Sequence, residues 1–206
     1  MARIISIDFP EAPVMAATAL DADKLVVFPT DTVYGVAARL GEAAIERIFA
    51  AKKRAIDKAI PVLLAEPDAV TQVAQSFPDW AQQLAAQFWP GPLTLVLPRR
   101  DDLPASLSAL ATVGVRVPDF TFARTLIAEA GGALAVTSAN RSDQPPACTV
   151  QAAIRYLSDA VALYVDGGAC AGGVPSTVVT MTGDGLRVLR EGPISAHNVR
   201  AVLATD

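Results

Sequence analysis

Short runs of Val, Ile and Leu, each no longer than a β-strand, recur from one end of the chain to the other. They are Arg3–Ile7, Leu25–Phe28, Ile60–Ala65, Leu93–Leu97, Thr112–Val117, Leu134–Thr137, Val161–Val165, Thr177–Met181 and Leu186–Arg190. Several are apolar throughout, which suits strands covered on both faces. Segments of helical period stand between the early and middle runs: Glu42–Lys52, Asp68–Ser76, Asp79–Gln87, Phe120–Ala130 and Val150–Leu157. In the first of these Ala44, Ile45, Ile48 and Phe49 form one apolar stripe. Asp119 and Thr149 stand at the N-cap positions of the last two. From Val161 onward strand follows strand with no helix between, so the alternation a purely parallel sheet needs breaks down. Thr182-Gly183-Asp184-Gly185 is a hairpin turn closing the last pair. The pattern predicts a mixed, twisted sheet with helices packed on it.

A chain of 206 residues reads as a single domain over 1–206. With 52% hydrophobic and 18% charged residues it is not a disordered chain. The formal net charge of −4 argues against a protein that works mainly by wrapping polyanionic backbone, while leaving room for a local basic pocket. Cys148 and Cys170 are too far apart for a zinc knuckle, and His197 is the single histidine, so no metal site is expected. The start, MARIISIDFPEAP, is neither a secretory nor a transit peptide. No window reaches the roughly 18 uninterrupted apolar residues of a membrane span, and a cytoplasmic protein is expected.

Polar or glycine-rich segments interrupt the apolar runs at strand ends, where open sheets place their ligand crevices. In Phe28–Gly35 two threonines, Asp31 and Tyr34 either recognise an ammonium and a hydroxyl, or simply cap a turn. Lys52, Lys53, Arg54 and Lys58 either complement a helix dipole or clamp a polyphosphate; no Walker-type glycine loop is present. Trp89-Pro90-Gly91-Pro92-Leu93-Thr94 reads as a rigid turn feeding a strand, with shaping of a pocket as the other use. Arg116 lies inside an apolar run, so an internal carboxylate or a ligand carboxylate must meet it; a bidentate grip on an amino-acid carboxylate is the sharper hypothesis. Thr137–Ser142 and Pro175-Ser176-Thr177 offer small polar groups for a phosphate or ribose.

In order, FPTDTVYGV, KKR, WPGPLTLVL, VGVRVP, TSANRS, PSTVV and LREGPI resemble the YrdC-like family of threonylcarbamoyl-AMP synthases, from about Leu25 to Ile194. The resemblance implies a three-layer α/β fold with a mixed twisted sheet and a large concave cleft. It implies ATP, L-threonine and bicarbonate as substrates, with Mg²⁺ arriving on ATP. The products would be threonylcarbamoyl-AMP and pyrophosphate, passed to transferase proteins that modify a tRNA adenosine, with tRNA contact as a further expectation. Lys52 and Arg54 would be catalytic. Lys52, Arg54, Lys58, Thr112, Ser138, Asn140 and Arg190 would bind ATP. Thr32, Arg116, Ser176 and the backbone of Val136 would hold threonine. The sequence departs from the family pattern across Ala55–Pro61, at Leu63 where a histidine is common, and at Asp143-Gln144-Pro145-Pro146. The competing readings are an RNA-binding module of the same fold and a carbamoyl-adenylate enzyme with another acceptor amine.

Overall fold

The computed structural model describes residues 3–55 and 58–204. Its centre is a ten-stranded sheet in the order β1-β8-β2-β3-β7-β4-β6-β5-β9-β10. The strands are β1 (Arg3–Ser6), β2 (Val26–Phe28), β3 (Gly35–Ala38), β4 (Val62–Leu64), β5 (Leu93–Pro98), β6 (Thr112–Arg116), β7 (Ala133–Ser138), β8 (Leu163–Asp166), β9 (Thr177–Thr182) and β10 (Gly185–Arg190). β8 runs parallel to β1 and β2, β4 to β6, and β5 to β9; the other neighbours are antiparallel. The mixed sheet expected from the sequence is present, and β9 and β10 form the expected hairpin across Gly183-Asp184.

Among the described residues six α-helices cover the two faces: α1 (Ala12–Asp21), α2 (Glu42–Lys52), α3 (Asp79–Phe88), α4 (Thr121–Glu129), α5 (Val150–Leu157) and α6 (Ala196–Leu203). Alternation along the strands divides the core in two. Val27, Val36, Val62 and Ala135 join α2, α3, α5 and α6 in one apolar cluster, while Val26, Ala37, Leu63 and Leu134 join α1 and α4 in the other. Helices thus lie on both faces, giving three layers. α1 and α4 pack on strands from β1 to β4, and nothing apolar from them reaches the same face of β5, β6 and β9. The uncovered half of that face is a concavity.

Some elements differ from the sequence reading. β3 was not expected: Gly35 and the two Ala have little strand preference, Val36 alone favours one, and β2 and β7 pair with both edges of this fully buried strand. α1 was also missed. It has few polar residues to mark an outer face, yet Ala12, Ala16, Ala17 and Leu20 bury one stripe. α6 begins at Ser195, whose hydroxyl accepts from the Asn198 amide. The helix expected at Asp68–Ser76 is a six-residue 3₁₀ turn, Pro67–Gln72. Thr149 caps α5 as expected, accepting from the Ala152 amide at 3.2 Å. Asp119 does not cap α4; the N-cap is Phe120, without a side-chain bond, because the helix starts one residue later. No described helix is long and apolar enough to cross a membrane.

Gly192 ties the end of β10 to the segment before β9. A Cβ there would lie 2.4 Å from the Pro175 carbonyl oxygen and 2.5 Å from the Thr177 nitrogen. Its own amide donates to Thr177 Oγ1 at 3.0 Å. Backbone cannot move aside as a side-chain tip can, so Gly192→Ala is expected to cost about 2 kcal/mol. Thermal unfolding followed by circular dichroism should drop by roughly 4–8 °C.

Candidate active site

The concavity on the uncovered face holds about 370 Å³. Its floor follows from strand alternation. In β6, Val113 and Val115 enter the core, so Thr112, Gly114 and Arg116 face the cavity. In β5, Leu93, Leu95 and Leu97 go inward and leave Thr94 and Val96. Gly114 keeps the floor low, since a Cβ there would meet Thr94 Cγ2 at 3.2 Å and Pro61 Cβ at 3.5 Å. The walls come from Thr30, Thr32, Val33 and Gly35, Ser138 at the end of β7, and Pro175, Ser176 and Arg190 beside the final hairpin.

Arg116 is buried, and described protein atoms already engage much of its guanidinium. Nε donates to the Gly91 carbonyl at 2.9 Å, one terminal nitrogen donates to Thr32 Oγ1 at 3.0 Å, and the other forms a close ion pair with Asp31. The internal carboxylate foreseen as one alternative is therefore Asp31. Asp31 is not itself among the residues lining the cavity, so of the two readings left open for its segment the structural one describes it. Among the described residues three of its five donors have partners and Arg116 still lines the cavity, so two N–H groups are left there for an anion. Burial draws its pKa down, Asp31 opposes this, and the neighbouring positive charge of Arg190 lowers it further. Thr30, by contrast, is a turn residue, donating to the Val33 carbonyl at 2.7 Å.

Arg190 donates from Nε to the Ser176 carbonyl at 3.0 Å and from a terminal nitrogen to Ser176 Oγ at 3.2 Å. Ser176 Oγ shares a hydrogen bond of 2.8 Å with Thr94 Oγ1. Arg54 lies at the opposite rim, donating to the carbonyls of Lys58 and Ala59. Among the described residues lining the cavity there is no carboxylate, so three guanidinium groups face one concavity. Fixed cations in a low-dielectric cleft focus positive potential where an anion would sit.

Of the residues expected to bind ligands, Arg54, Thr112, Ser138 and Arg190 line this cavity, as do Thr32, Arg116, Val136 and Ser176. Lys52, Lys58 and Asn140 do not. Lys52 continues the buried stripe of α2, four residues after Ile48, and is 1% exposed. Its ammonium donates to the carbonyls of Ser138 and of Asn140, the latter at 2.6 Å. Burial, and then the charge of Arg54, lower its pKa to about 7. Asn140 staples the same turn, donating to the carbonyls of Arg141 and Gln144. Lys58 pairs with Asp143 at 3.0 Å on the surface. The altered stretch after Arg54 runs through Ile56 and Asp57, which lie outside the described residues. Thr94, the last residue of the segment read as a rigid turn or as shaping a pocket, lies on the cavity floor. Sequence reading missed the apolar wall of Pro61, Val96 and Val178, which no polar motif marks.

A family model described as telomere recombination, for Sua5, YciO and YrdC, matches residues 18–192. The chain belongs to the Sua5/YciO/YrdC family. A Mycobacterium tuberculosis relative is 39% identical over 195 residues, covering 94% of this chain and 89% of its own length. The Bacillus subtilis threonylcarbamoyl-AMP synthase is 36% identical over 191 residues, covering 91% of this chain and 55% of the relative. Pyrococcus abyssi Sua5, solved in complex with L-threonine, superposes with a TM-score of 0.93 at 34% identity, over 98% of this chain and 61% of that one. This chain thus spans most of the mycobacterial relative but less than two thirds of the other two. Escherichia coli YciO shares the fold at a TM-score of 0.86 and 22% identity.

Proposed function

We propose that this Sua5/YciO/YrdC protein is a cytoplasmic threonylcarbamoyl-AMP synthase, a nucleotidyltransferase using ATP, L-threonine and bicarbonate. The observation that carries the reading is the convergence of Arg54, Arg116 and Arg190 with the hydroxyls of Thr32, Thr112, Ser138 and Ser176 on one cavity that no carboxylate among the described residues lines. A triphosphate and an amino-acid carboxylate are the anions such a surface accommodates side by side. The threonine-bound relative of the same fold supports the second half of that pairing.

In this mechanism the two unused N–H groups of Arg116 take the threonine carboxylate, and Thr32 and Ser176 flank it. The backbone of Val136 lies against the amino acid. The threonine amine adds to bicarbonate with loss of water, giving an N-carboxylate. An oxygen of that carboxylate attacks the α-phosphorus of ATP, and the bond to the leaving pyrophosphate breaks. Arg54, with Ser138, Thr112 and Arg190, orients the nucleotide and stabilises charge on the phosphoryl oxygens. No residue becomes covalently modified. Lys52 acts through the turn it holds, by way of Ser138. The lining groups are hydroxyls and guanidinium ions, a poor donor set for a resident magnesium ion, so Mg²⁺ belongs to the ATP that brings it. The adenylate would then pass to proteins that transfer its threonylcarbamoyl group to tRNA.

Radiolabelled threonine incubated with ATP and bicarbonate should yield a labelled adenylate and equimolar pyrophosphate. Arg54→Ala removes one charge-assisted contact worth about 1.5–3 kcal/mol, so KM for ATP should rise about 10- to 100-fold with KM for threonine little changed. Absence of adenylate from folded wild-type protein rejects the reading.

A further inference from the structure

A second depression, of about 380 Å³, lies away from the cavity already described. It sits where the C-terminal ends of α2 and α5 meet the loop after β7. Lys53, Arg141 and Arg155 line it, with Lys52, Ser142, Gln144 and Tyr156; the Lys52 ammonium is itself turned to the Ser138 and Asn140 carbonyls. No described carboxylate lines it or forms an ion pair with any of the three cations.

Cations at helix C-termini have a structural use, and part of it is visible here. Arg141 Nε donates to the Tyr156 carbonyl at 3.2 Å, within the last turn of α5, and Arg155 stands in that turn. Lys53 is the C-cap of α2, held in the left-handed conformation at φ 49°. The magnitudes show that this use is not the whole account. Two helix ends carry about half a negative charge each, which offsets roughly one of three positive charges. About two remain unbalanced, on a chain whose net charge is −4. A solvated acidic protein has no electrostatic reason to gather them.

Ser142 supplies a second, independent observation. Its Oγ is buried with no hydrogen-bond partner among the described residues, while its amide is fixed to the Lys52 carbonyl at 3.1 Å. A buried hydroxyl without a partner costs free energy unless something else meets it. Two guanidinium forks, an ammonium, a hydroxyl and the amide of Gln144 make up a donor set suited to phosphate-type oxygens.

We propose that this depression is a second anion site, taking a phosphate-type oxyanion, either free pyrophosphate or a phosphodiester of RNA. The site stands independently of the reaction assigned to the main cavity. It shares the Ser138–Gln144 loop with that cavity, so an anion bound here rests against the outer side of the wall that carries Ser138.

The test is a titration of inorganic pyrophosphate followed by amide chemical shifts, with the wild type beside an Arg141→Glu/Arg155→Glu variant. In the wild type the amides of Ser142, Gln144 and Tyr156 should shift and saturate. In the variant that transition should weaken at least tenfold, while Thr112 and Gly114 in the main cavity respond alike in both proteins. Arg155→Gln, a milder change, should give an intermediate loss and guards against misfolding of the double variant. A second arm titrates an RNA stem-loop at several salt concentrations. If a phosphodiester is the occupant, the slope of log Kd against log salt should fall by about 2 in the double variant. A change in either arm supports the site and identifies the source of the phosphate. Unmoved Ser142 and Gln144 amides together with an unchanged salt slope overturn it.

Discussion

Arg116→Ala should unfold some 6–20 °C below the wild type, a larger stability loss than truncating any exposed cation in the molecule. The reason is what the substitution leaves behind. Asp31, Thr32 and the Gly91 carbonyl are all positioned on the guanidinium, and Asp31 would remain as a mostly buried charge facing no cation. Removing one member of a buried ion pair costs about 3–5 kcal/mol, chiefly through the stranded partner. For a chain of this size each kcal/mol moves the melting temperature by roughly 2–4 °C. Asp31→Ala should be destabilising as well, since it strands the opposite charge. The double variant should lose less than the two single losses summed, because neither charge is then left alone. Calorimetry on the three variants checks this, and a melting temperature of Arg116→Ala within about 2 °C of wild type rejects it. Threonine binding, measured at a temperature where Arg116→Ala is folded, should weaken separately. The same side chain therefore carries two effects, and the Asp31 variants separate them: Asp31→Ala harms stability while keeping the guanidinium in the protein.

This double role explains why the sequence could raise the question of Arg116 without answering it. An arginine inside Thr112–Val117 demands a partner, and the sequence offers no means of choosing between a carboxylate at position 31 and one on a ligand. The choice depends on sheet order, which brings the loop after β2 over the end of β6 through β3, β7 and β4. The strands that carry strong β-formers were legible. β3 was not, because Gly35, Ala37 and Ala38 give Val36 no strand-forming company and the segment pairs as a strand between two neighbours. The cavity itself was legible only as a set of motifs. Its position comes from an absence of cover, since α1 and α4 stop short of β5, β6 and β9, and no local pattern encodes where a helix layer ends. Lys52 is the reverse case. Its place at the end of the Ile45, Ile48 and Phe49 stripe already put it on the buried face, but reading Lys52, Lys53 and Arg54 as one cationic cluster hid that. The structure separates these neighbours: the Lys52 ammonium goes to the carbonyls of Ser138 and Asn140 beside the second depression, Arg54 lines the main cavity and Lys53 lines the second depression.

The burial of Lys52 gives the protein a pH dependence with a definite sign. With its pKa lowered from 10.5 to about 7, native protein releases this proton at a pH where the unfolded chain still holds it. Below pH 7 both states are protonated and the cost of burying the charge is constant. Between pH 7 and 9 the unfolded state binds more protons, so stability rises with pH, by at most about 1.4 kcal/mol per unit and by roughly 2 kcal/mol in all. Above pH 9 the Cys170 thiol, which burial pushes up to about 11, acts in the opposite direction, because the unfolded thiol ionises first. The clean window is therefore pH 7–9, and wild-type melting temperature should climb across it by roughly 4–8 °C. Lys52→Met fills similar space without a titrating group and should flatten that climb. The same substitution takes the donor away from the Ser138 and Asn140 carbonyls, so the turn behind the nucleotide loses its anchor. Misplacing a substrate-orienting group by about 1 Å costs on the order of 100-fold in rate. Because Lys52 acts through Ser138, the loss should appear largely as a higher KM for ATP. In the wild type that KM should itself rise as pH passes through 7 and the ammonium is lost, and in Lys52→Met it should be high and insensitive to pH over the same range. A Lys52→Met protein with wild-type KM for ATP, or with the full stability climb between pH 7 and 9, contradicts this role for the buried amine.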